Sequence, residues 1–107
     1  MKRVGFQLKV RKEQMAVYIE HHRNVWPEMK LALTRHGWCN YSLYMTNDGT
    51  LFGYFEATKS FEDSLRGMST ENINKEWQDL MSPLFEIPKG AAADEMMLEL
   101  TEVFHLD

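Results

Sequence analysis

The sequence predicts an α+β fold in which helices cover one face of a four-stranded antiparallel sheet. Three observations predict it: a strand pattern near each end of the chain, a hairpin in the middle, and helical spacing in the two gaps. The resulting order is strand, helix, strand, strand, helix, strand, which is the order of the ferredoxin-like fold. The chain has 107 residues, so a single domain over residues 1–107 accounts for all of it.

A strand opens the chain and is followed by two helices. Apolar residues first occupy every second position, and a period of two predicts a strand with one buried face. Helical spacing then predicts a helix over 12–23 and a second over 27–36, because Pro27 cannot continue the first helix but suits the first turn of the next. Gly37 ends the second helix. The alternating apolar residues are Val4, Phe6, Leu8 and Val10.

The middle of the chain predicts a hairpin. Strand-forming residues occupy 38–45 and 51–57, and between them lies Asn47-Asp48-Gly49. An Asp-Gly pair flanked by two strand patterns is a strong signal for a tight turn.

A split helix and a final strand complete the pattern. Ser60 and Thr70 are side chains of the kind that cap helix starts, so we expect one helix after each. Residues 90–95 are expected to form a loop without core anchors, and 96–106 the last strand. The apolar stripes of the two helices are Phe61, Leu65 and Met68, then Ile73, Trp77, Leu80 or Met81, and Leu84.

Charge and composition exclude several classes of function. The chain has 12 Lys and Arg against 16 Asp and Glu, a net charge of −4, which argues against nucleic acid as a partner. No apolar run approaches the roughly 20 residues that cross a membrane. The first residues do not form a secretory signal, so we expect a cytoplasmic protein.

The sequence offers no basis for a metal or a cofactor. Cys39 is the single cysteine, so neither an internal disulfide nor a cysteine-rich zinc site is expected. His21 and His22 are adjacent on a predicted helix and point about 100° apart, and metal-binding and phosphate-binding motifs are absent.

The apolar content is large for one thin core. Thirteen aromatic residues and eight methionines have to be buried in a chain of this size. A sheet with helices on one face leaves its other face bare, and such faces are commonly covered by a second subunit. We therefore expect both a pocket and a homodimer.

The best candidate for chemistry is a pair of residues in the first helix. Tyr18 and His22 are four apart, so they project from the same side of the helix. An imidazole has a pKa of about 6.5 and exchanges protons well near neutrality. Tyr41 and Trp77, with Trp26, could wall a pocket suited to a sugar. Such residues also occur as ordinary core packing, and for Trp26 we favour that interpretation.

The chain resembles the L-rhamnose mutarotase family from end to end. The most distinctive part is the block that runs from the tyrosine and histidine of the first helix to Trp-Pro-Glu. The matching segments are Lys2-Arg3-Val4-Gly5-Phe6, Tyr18-x-x-x-His22-x-Asn24-x-Trp26-Pro27-Glu28, Gly37-x-x-Asn40-Tyr41-Ser42 and Glu102-Val103-Phe104-His105-Leu106.

This resemblance implies a dimeric ferredoxin-like isomerase, or dimeric α+β barrel, that interconverts the α and β anomers of a 6-deoxyhexose without a cofactor. It implies that His22 is the proton donor, and we expect the imidazole to protonate the ring oxygen and to retrieve that proton on closure. Tyr18, Tyr41 and Trp77 would bind the sugar. Gln78 would also contact it, at a position where the family often has a second tryptophan.

Two departures leave the particular sugar open. Besides Gln78, the stretch Gly90 to Asp94 replaces an Asp-Asn-Ser-Pro stretch that many relatives carry. L-rhamnose, L-fucose and other deoxy-sugars therefore remain candidates. The second acid or base is also open, with a water molecule or Glu102 as possibilities.

Two other functions remain as alternatives. Ferredoxin-like dimers with a helix histidine include cofactor-independent monooxygenases and haem-degrading enzymes. A sugar-binding module without catalytic activity is the other alternative.

Overall fold

The computed structural model describes residues 1–88 and 90–107, and over these residues the chain forms a four-stranded sheet. The strands follow the spatial order β2-β3-β1-β4, and every neighbouring pair is antiparallel. This is the ferredoxin-like arrangement, so the predicted fold class is confirmed. The strands are β1 (Lys2–Lys9), β2 (Trp38–Met45), β3 (Thr50–Ala57) and β4 (Leu98–Leu100), and the helices are α1 (Met15–Arg23), α2 (Pro27–Arg35), α3 (Phe61–Met68) and α4 (Asn72–Met81).

The core lies between the inner face of the sheet and the helices. Phe6 is at its centre and is fully buried. Its ring lies over Gly53, the residue paired with it on β3, where an added Cβ would come within 2.1 Å of the ring. A glycine in this strand therefore makes room for the ring of Phe6.

A β-bulge in β2 changes which residues face the core. Cys39 pairs with Glu56 and Ser42 pairs with Tyr54, so one strand advances three residues while its partner advances two. The extra residue is Asn40, whose φ of +48° lies in the left-handed region that asparagine tolerates better than most residues. Simple alternation would place Trp38 and Tyr41 on opposite faces, and the bulge brings both to the inner face.

The predicted helix and turn signals mostly act as expected. Pro27 is in the first turn of α2, and Ser60 caps α3 by accepting a hydrogen bond from the backbone N–H of Asp63 at 3.0 Å. In the hairpin, Asp48 accepts hydrogen bonds from the backbone and side chain of Thr50, and Gly49 has a φ of +92°. The turn therefore has the geometry that its sequence predicts.

Two predictions about helix starts are wrong. Residues 12–14 form a 3₁₀ turn rather than the first turn of α1. Thr70 does not cap α4: its hydroxyl donates to the carbonyl of Gly67 at 2.7 Å and closes the end of α3, while Glu71 takes the capping position. The loop between the two helices is short, so Thr70 bonds to the end of α3, which precedes it, rather than to the start of α4.

Two predictions near the C-terminus are also wrong. Ala93 is buried, and Ala93–Met96 forms a 3₁₀ turn, so this loop does have a core anchor. The last strand covers Leu98–Leu100 rather than 96–106, because only Gly5 to Gln7 of β1 pair with it. Residues 101–107 are exposed and form no regular structure.

Candidate active site

A cavity of about 510 Å³ lies between the helices and the inner face of the sheet. This volume falls in the usual range for small-molecule sites. Its walls come from the first three strands, all four helices and the segment 93–97, so distant parts of the sequence meet there. All five residues expected at the site line this cavity: Tyr18, His22, Tyr41, Trp77 and Gln78.

One wall is formed by the end of α1. Tyr18 and His22 are one helical turn apart, and their rings stack with centroids 4.1 Å apart at an interplanar angle of 27°. Tyr18 is buried and His22 is half-buried. The phenol and the imidazole therefore face the same space.

Trp77 on α4 extends this wall. Its ring meets His22 edge to face, with centroids 5.3 Å apart. Trp26 packs against the outside of Trp77 at 5.1 Å and is not among the residues that line the cavity. This placement agrees with the interpretation of Trp26 as a packing residue, since its ring supports Trp77, which lines the cavity.

The hydrogen bonding of His22 determines which of its nitrogens is available. Its Nδ1 lies 2.9 Å from the backbone carbonyl oxygen of Tyr18. A carbonyl oxygen only accepts hydrogen bonds, so Nδ1 carries the hydrogen. Burial lowers the pKa of His22, and the bond to Tyr18 opposes this only in part. At neutral pH the ring is therefore uncharged, and Nε2 has a free lone pair.

Tyr41 comes from the opposite wall. The bulge in β2 turns it toward the cavity, where its ring packs on Trp38 with centroids 5.1 Å apart. Burial raises the pKa of both Tyr41 and Tyr18 above the usual value for tyrosine. Both hydroxyls therefore stay protonated at physiological pH and can donate hydrogen bonds as well as accept them.

Asn74 and Asp94 also line the cavity. Neither was expected as a site residue, although Asp94 ends the stretch from Gly90 that departs from the pattern of many relatives. Asn74 is buried with 4% of its surface exposed, and hydrogen bonds connect both residues to Gln78. The spacing of Asn74, one turn before Gln78 on the same helix, was a usable signal. Nothing in the local sequence indicates that Asp94 returns to this helix.

Other expected or possible groups lie elsewhere. Glu102, one possibility for the second acid or base, forms a 2.8 Å ion pair with Arg3 and is not among the residues lining the cavity. His36 is paired with Glu71 at 2.7 Å. Among residues 1–88 and 90–107, no three His, Cys, Asp or Glu side chains are arranged to hold a metal ion. In the same part of the chain, no helix is long and apolar enough to span a membrane.

Comparisons with known proteins agree on one family. A family model described as L-rhamnose mutarotase matches residues 3–106. The L-rhamnose mutarotase of Oceanobacillus iheyensis is 34% identical over 108 residues, and that of Bacillus subtilis is 32% identical; both alignments cover 100% of each chain. The crystal structure of L-rhamnose mutarotase from Formosa agariphila superposes with a TM-score of 0.81, at 27% identity and 100% coverage of both chains.

Proposed function

The chain belongs to the L-rhamnose mutarotase family, a family of isomerases, and on that premise we propose that it interconverts the α and β anomers of a 6-deoxyhexose. The observation that carries the proposal is the state of His22. A neutral imidazole with a free nitrogen faces a cavity that two protonated tyrosine hydroxyls share. Opening the ring of a neutral sugar needs a group that takes up and releases a proton, together with groups that form hydrogen bonds to the sugar hydroxyls.

Ring opening requires one proton to move between two oxygens on the same carbon. In the proposed step, Nε2 of His22 accepts the proton of the anomeric hydroxyl, and the imidazolium then donates it to the ring oxygen. The bond between C1 and the ring oxygen breaks with its electron pair going to that oxygen, and C1 becomes an aldehyde. Atoms and charge balance, and His22 is neutral again.

Ring closure repeats these events in reverse on the other face of C1. The aldehyde turns about the C1–C2 bond. The hydroxyl formed from the ring oxygen then attacks C1 while giving its proton to Nε2. The imidazolium then protonates the former aldehyde oxygen. His22 thus acts as a base before it acts as an acid in each half-reaction, whereas the family resemblance implies that it begins as a proton donor. A positioned acid–base group typically gives about 10²–10⁴ in rate.

The aromatic residues are proposed to bind the sugar. Tyr18 and Tyr41 would orient its hydroxyls, and Trp77 would pack on its apolar face or its C6 methyl group. The similarity to L-rhamnose mutarotases favours L-rhamnose as the substrate, and L-fucose is the second candidate.

Exchange spectroscopy by NMR tests this function directly. Addition of the protein should speed the exchange between the α and β signals of L-rhamnose, L-fucose or both beyond the rate in buffer alone. L-mannuronic acid is a suitable comparison because it keeps the ring stereocentres of L-rhamnose and replaces the methyl group with a charged carboxylate. Binding of a 6-deoxyhexose without faster exchange would favour a non-catalytic sugar-binding module and contradict the proposal.

We also propose that the enzyme is a homodimer, joined through the outer face of its sheet. That face carries exposed apolar side chains from three strands, and two of them, Tyr44 and Leu98, are 66% and 62% exposed. Tyr44 pairs with Phe52 and Leu98 pairs with Gln7, itself the partner of Phe52, so these side chains form one row across the sheet. A second copy would bury this row.

A further inference from the structure

A closed ring of three hydrogen bonds holds Asp94 at the cavity wall. The backbone N–H of Asp94 donates to Oε1 of Gln78 at 3.1 Å, and Nε2 of Gln78 donates to Oδ1 of Asn74 at 3.2 Å. Nδ2 of Asn74 then donates to Oδ2 of Asp94 at 3.0 Å. The ring joins one face of α4 to the segment that follows it.

The donor-to-acceptor direction of the bonds in this ring is determined by Asp94, which contributes both a backbone N–H and a carboxylate. A backbone N–H can only donate, and an ionised carboxylate can only accept. The amide groups of Gln78 and Asn74 each have one orientation that satisfies both groups of Asp94, so neither can be reversed without losing hydrogen bonds. Asn74 is buried, and a buried amide keeps its partners because losing them is costly. The carboxylate of Asp94 is therefore held in one place.

The ring uses little of the capacity of this carboxylate. An ionised carboxylate has about four lone-pair positions on two oxygens. Among residues 1–88 and 90–107, Asn74 is the side chain that donates to it, and that bond uses one position on Oδ2. Asp94 lines the cavity and is half-buried, so its remaining positions are available to a ligand there.

We propose that Asp94 is a substrate-binding residue that accepts hydrogen bonds from one or two hydroxyl groups of the sugar. The proposal rests on the proposed function and adds a determinant of specificity to it. Sugar hydroxyls are donors, and a fixed carboxylate favours a sugar with a hydroxyl at the matching carbon over one with hydrogen there. Asn74 and Gln78 act on the sugar through Asp94, as positioning residues. For Gln78 this role replaces the direct sugar contact that the resemblance implies, because both polar atoms of its side chain are bonded within the ring.

The test compares Asp94→Asn with Asp79→Asn. Both variants remove one carboxylate at nearly constant size, and Asp79 is exposed on α4 next to Gln78, outside the residues that line the cavity. Affinity is measured by ligand-detected NMR for L-rhamnose and for its 2-deoxy, 3-deoxy and 4-deoxy analogues. Exchange between anomers is measured separately.

We expect Asp94→Asn to bind L-rhamnose about ten-fold or more weakly, the range for a hydrogen bond to a charged group. Asp79→Asn should match the wild-type chain. For an analogue that lacks a hydroxyl contacting Asp94, the difference in affinity between the wild-type chain and Asp94→Asn should be clearly smaller than for L-rhamnose.

An equal loss of affinity of Asp94→Asn for all four sugars would overturn the proposal, because it would indicate a structural effect of the ring. An unchanged affinity for L-rhamnose, or no binding of L-rhamnose by the wild-type chain, would overturn it as well. If the wild-type chain binds sugars without speeding exchange, the proposed function fails, and the analogue series still decides the role of Asp94.

Discussion

At the scale of single residues, one hydrogen bond gives His22 its chemical character. The bond from Nδ1 to the carbonyl of Tyr18 determines the tautomer, and burial disfavours the charged ring. The residue that accepts the imidazole hydrogen is thus the same residue whose ring stacks on it. Tyr18, one helical turn before His22, therefore orients the imidazole through its backbone carbonyl and packs on it through its ring.

The pH dependence of exchange should reflect these shifts. Burial lowers the pKa of His22 below its ordinary value of 6.5, so the catalysed rate should fall only at pH values below 6.5. On the basic side, the raised pKa values of Tyr18 and Tyr41 predict no loss up to pH 10. The measurement is the NMR exchange rate from pH 4.5 to 10, with the rate of buffer alone subtracted.

A midpoint above pH 6.5, or a loss of rate between pH 8 and 10, would contradict this profile.

The lowered pKa of His22 also makes the free energy of unfolding depend on pH. Between pH 6.5 and the pKa of folded His22, the unfolded chain binds a proton that the folded chain does not, so the contribution of His22 to the free energy of unfolding decreases as the pH falls.

The sequence was informative for some site residues because their spacing is local. Tyr18 and His22 are one turn apart, and a helical period was enough to place them on one side. Asp94 could not be found in this way, because its position depends on hydrogen bonds to Asn74 and Gln78, which lie 20 and 16 residues earlier. Contacts made by irregular segments have no periodic signal.

At the scale of secondary-structure elements, the bulge in β2 has the largest effect on the site. Asn40 is the extra residue, and its positive φ switches the alternation so that Tyr41 joins Trp38 on the inner face. Period-two patterns predicted the strand with correct bounds but not the change of phase within it. A single residue in the left-handed region does not alter the pattern of a strand.

Substitution at Asn40 tests this role. Valine is strained at positive φ, so Asn40→Val should lower the free energy of unfolding by about 1–3 kcal/mol and weaken sugar binding through Tyr41. Asn40→Gly is the control, since glycine adopts the same φ freely and should change both quantities less. Chemical denaturation and ligand-detected NMR supply the two measurements. Equal effects of the two substitutions would argue against a role for the backbone conformation.

The last strand shows why the ends of the chain were harder to predict. Apolar residues recur beyond Leu100, but backbone pairing with β1 stops there, and Val103, Phe104 and Leu106 are exposed. A strand needs a neighbour as well as a pattern. The helices and the hairpin, by contrast, carry their own start and stop signals, and most of those acted as expected.

At the scale of the whole molecule, the two faces of the sheet have different uses. The inner face carries the core and the candidate active site, while the outer face exposes the row formed by Tyr44, Phe52 and Leu98. In a monomer this row would contact water. We therefore expect the outer face to be the interface between two copies.

A charge in this row should separate the copies. The wild-type chain should have twice the 12.6 kDa mass of one chain, and Phe52→Glu should lower it to that of a monomer. Leu31→Glu is the matched control, because Leu31 is an exposed apolar residue on α2, 62% exposed and far from the row in sequence and fold. Analytical ultracentrifugation gives the masses, and a monomeric wild-type chain would contradict the proposed interface.

The most direct test of the proposed chemistry is the anomer exchange rate of His22→Asn with L-rhamnose. An asparagine side chain can still donate to the carbonyl of Tyr18, but it lacks the nitrogen that would carry the proton. The neighbouring variant His21→Asn is the control, since His21 is not among the residues that line the cavity. We predict that His22→Asn loses about 100-fold or more of the catalysed rate, while His21→Asn retains it. An unchanged rate in a folded His22→Asn would contradict the account.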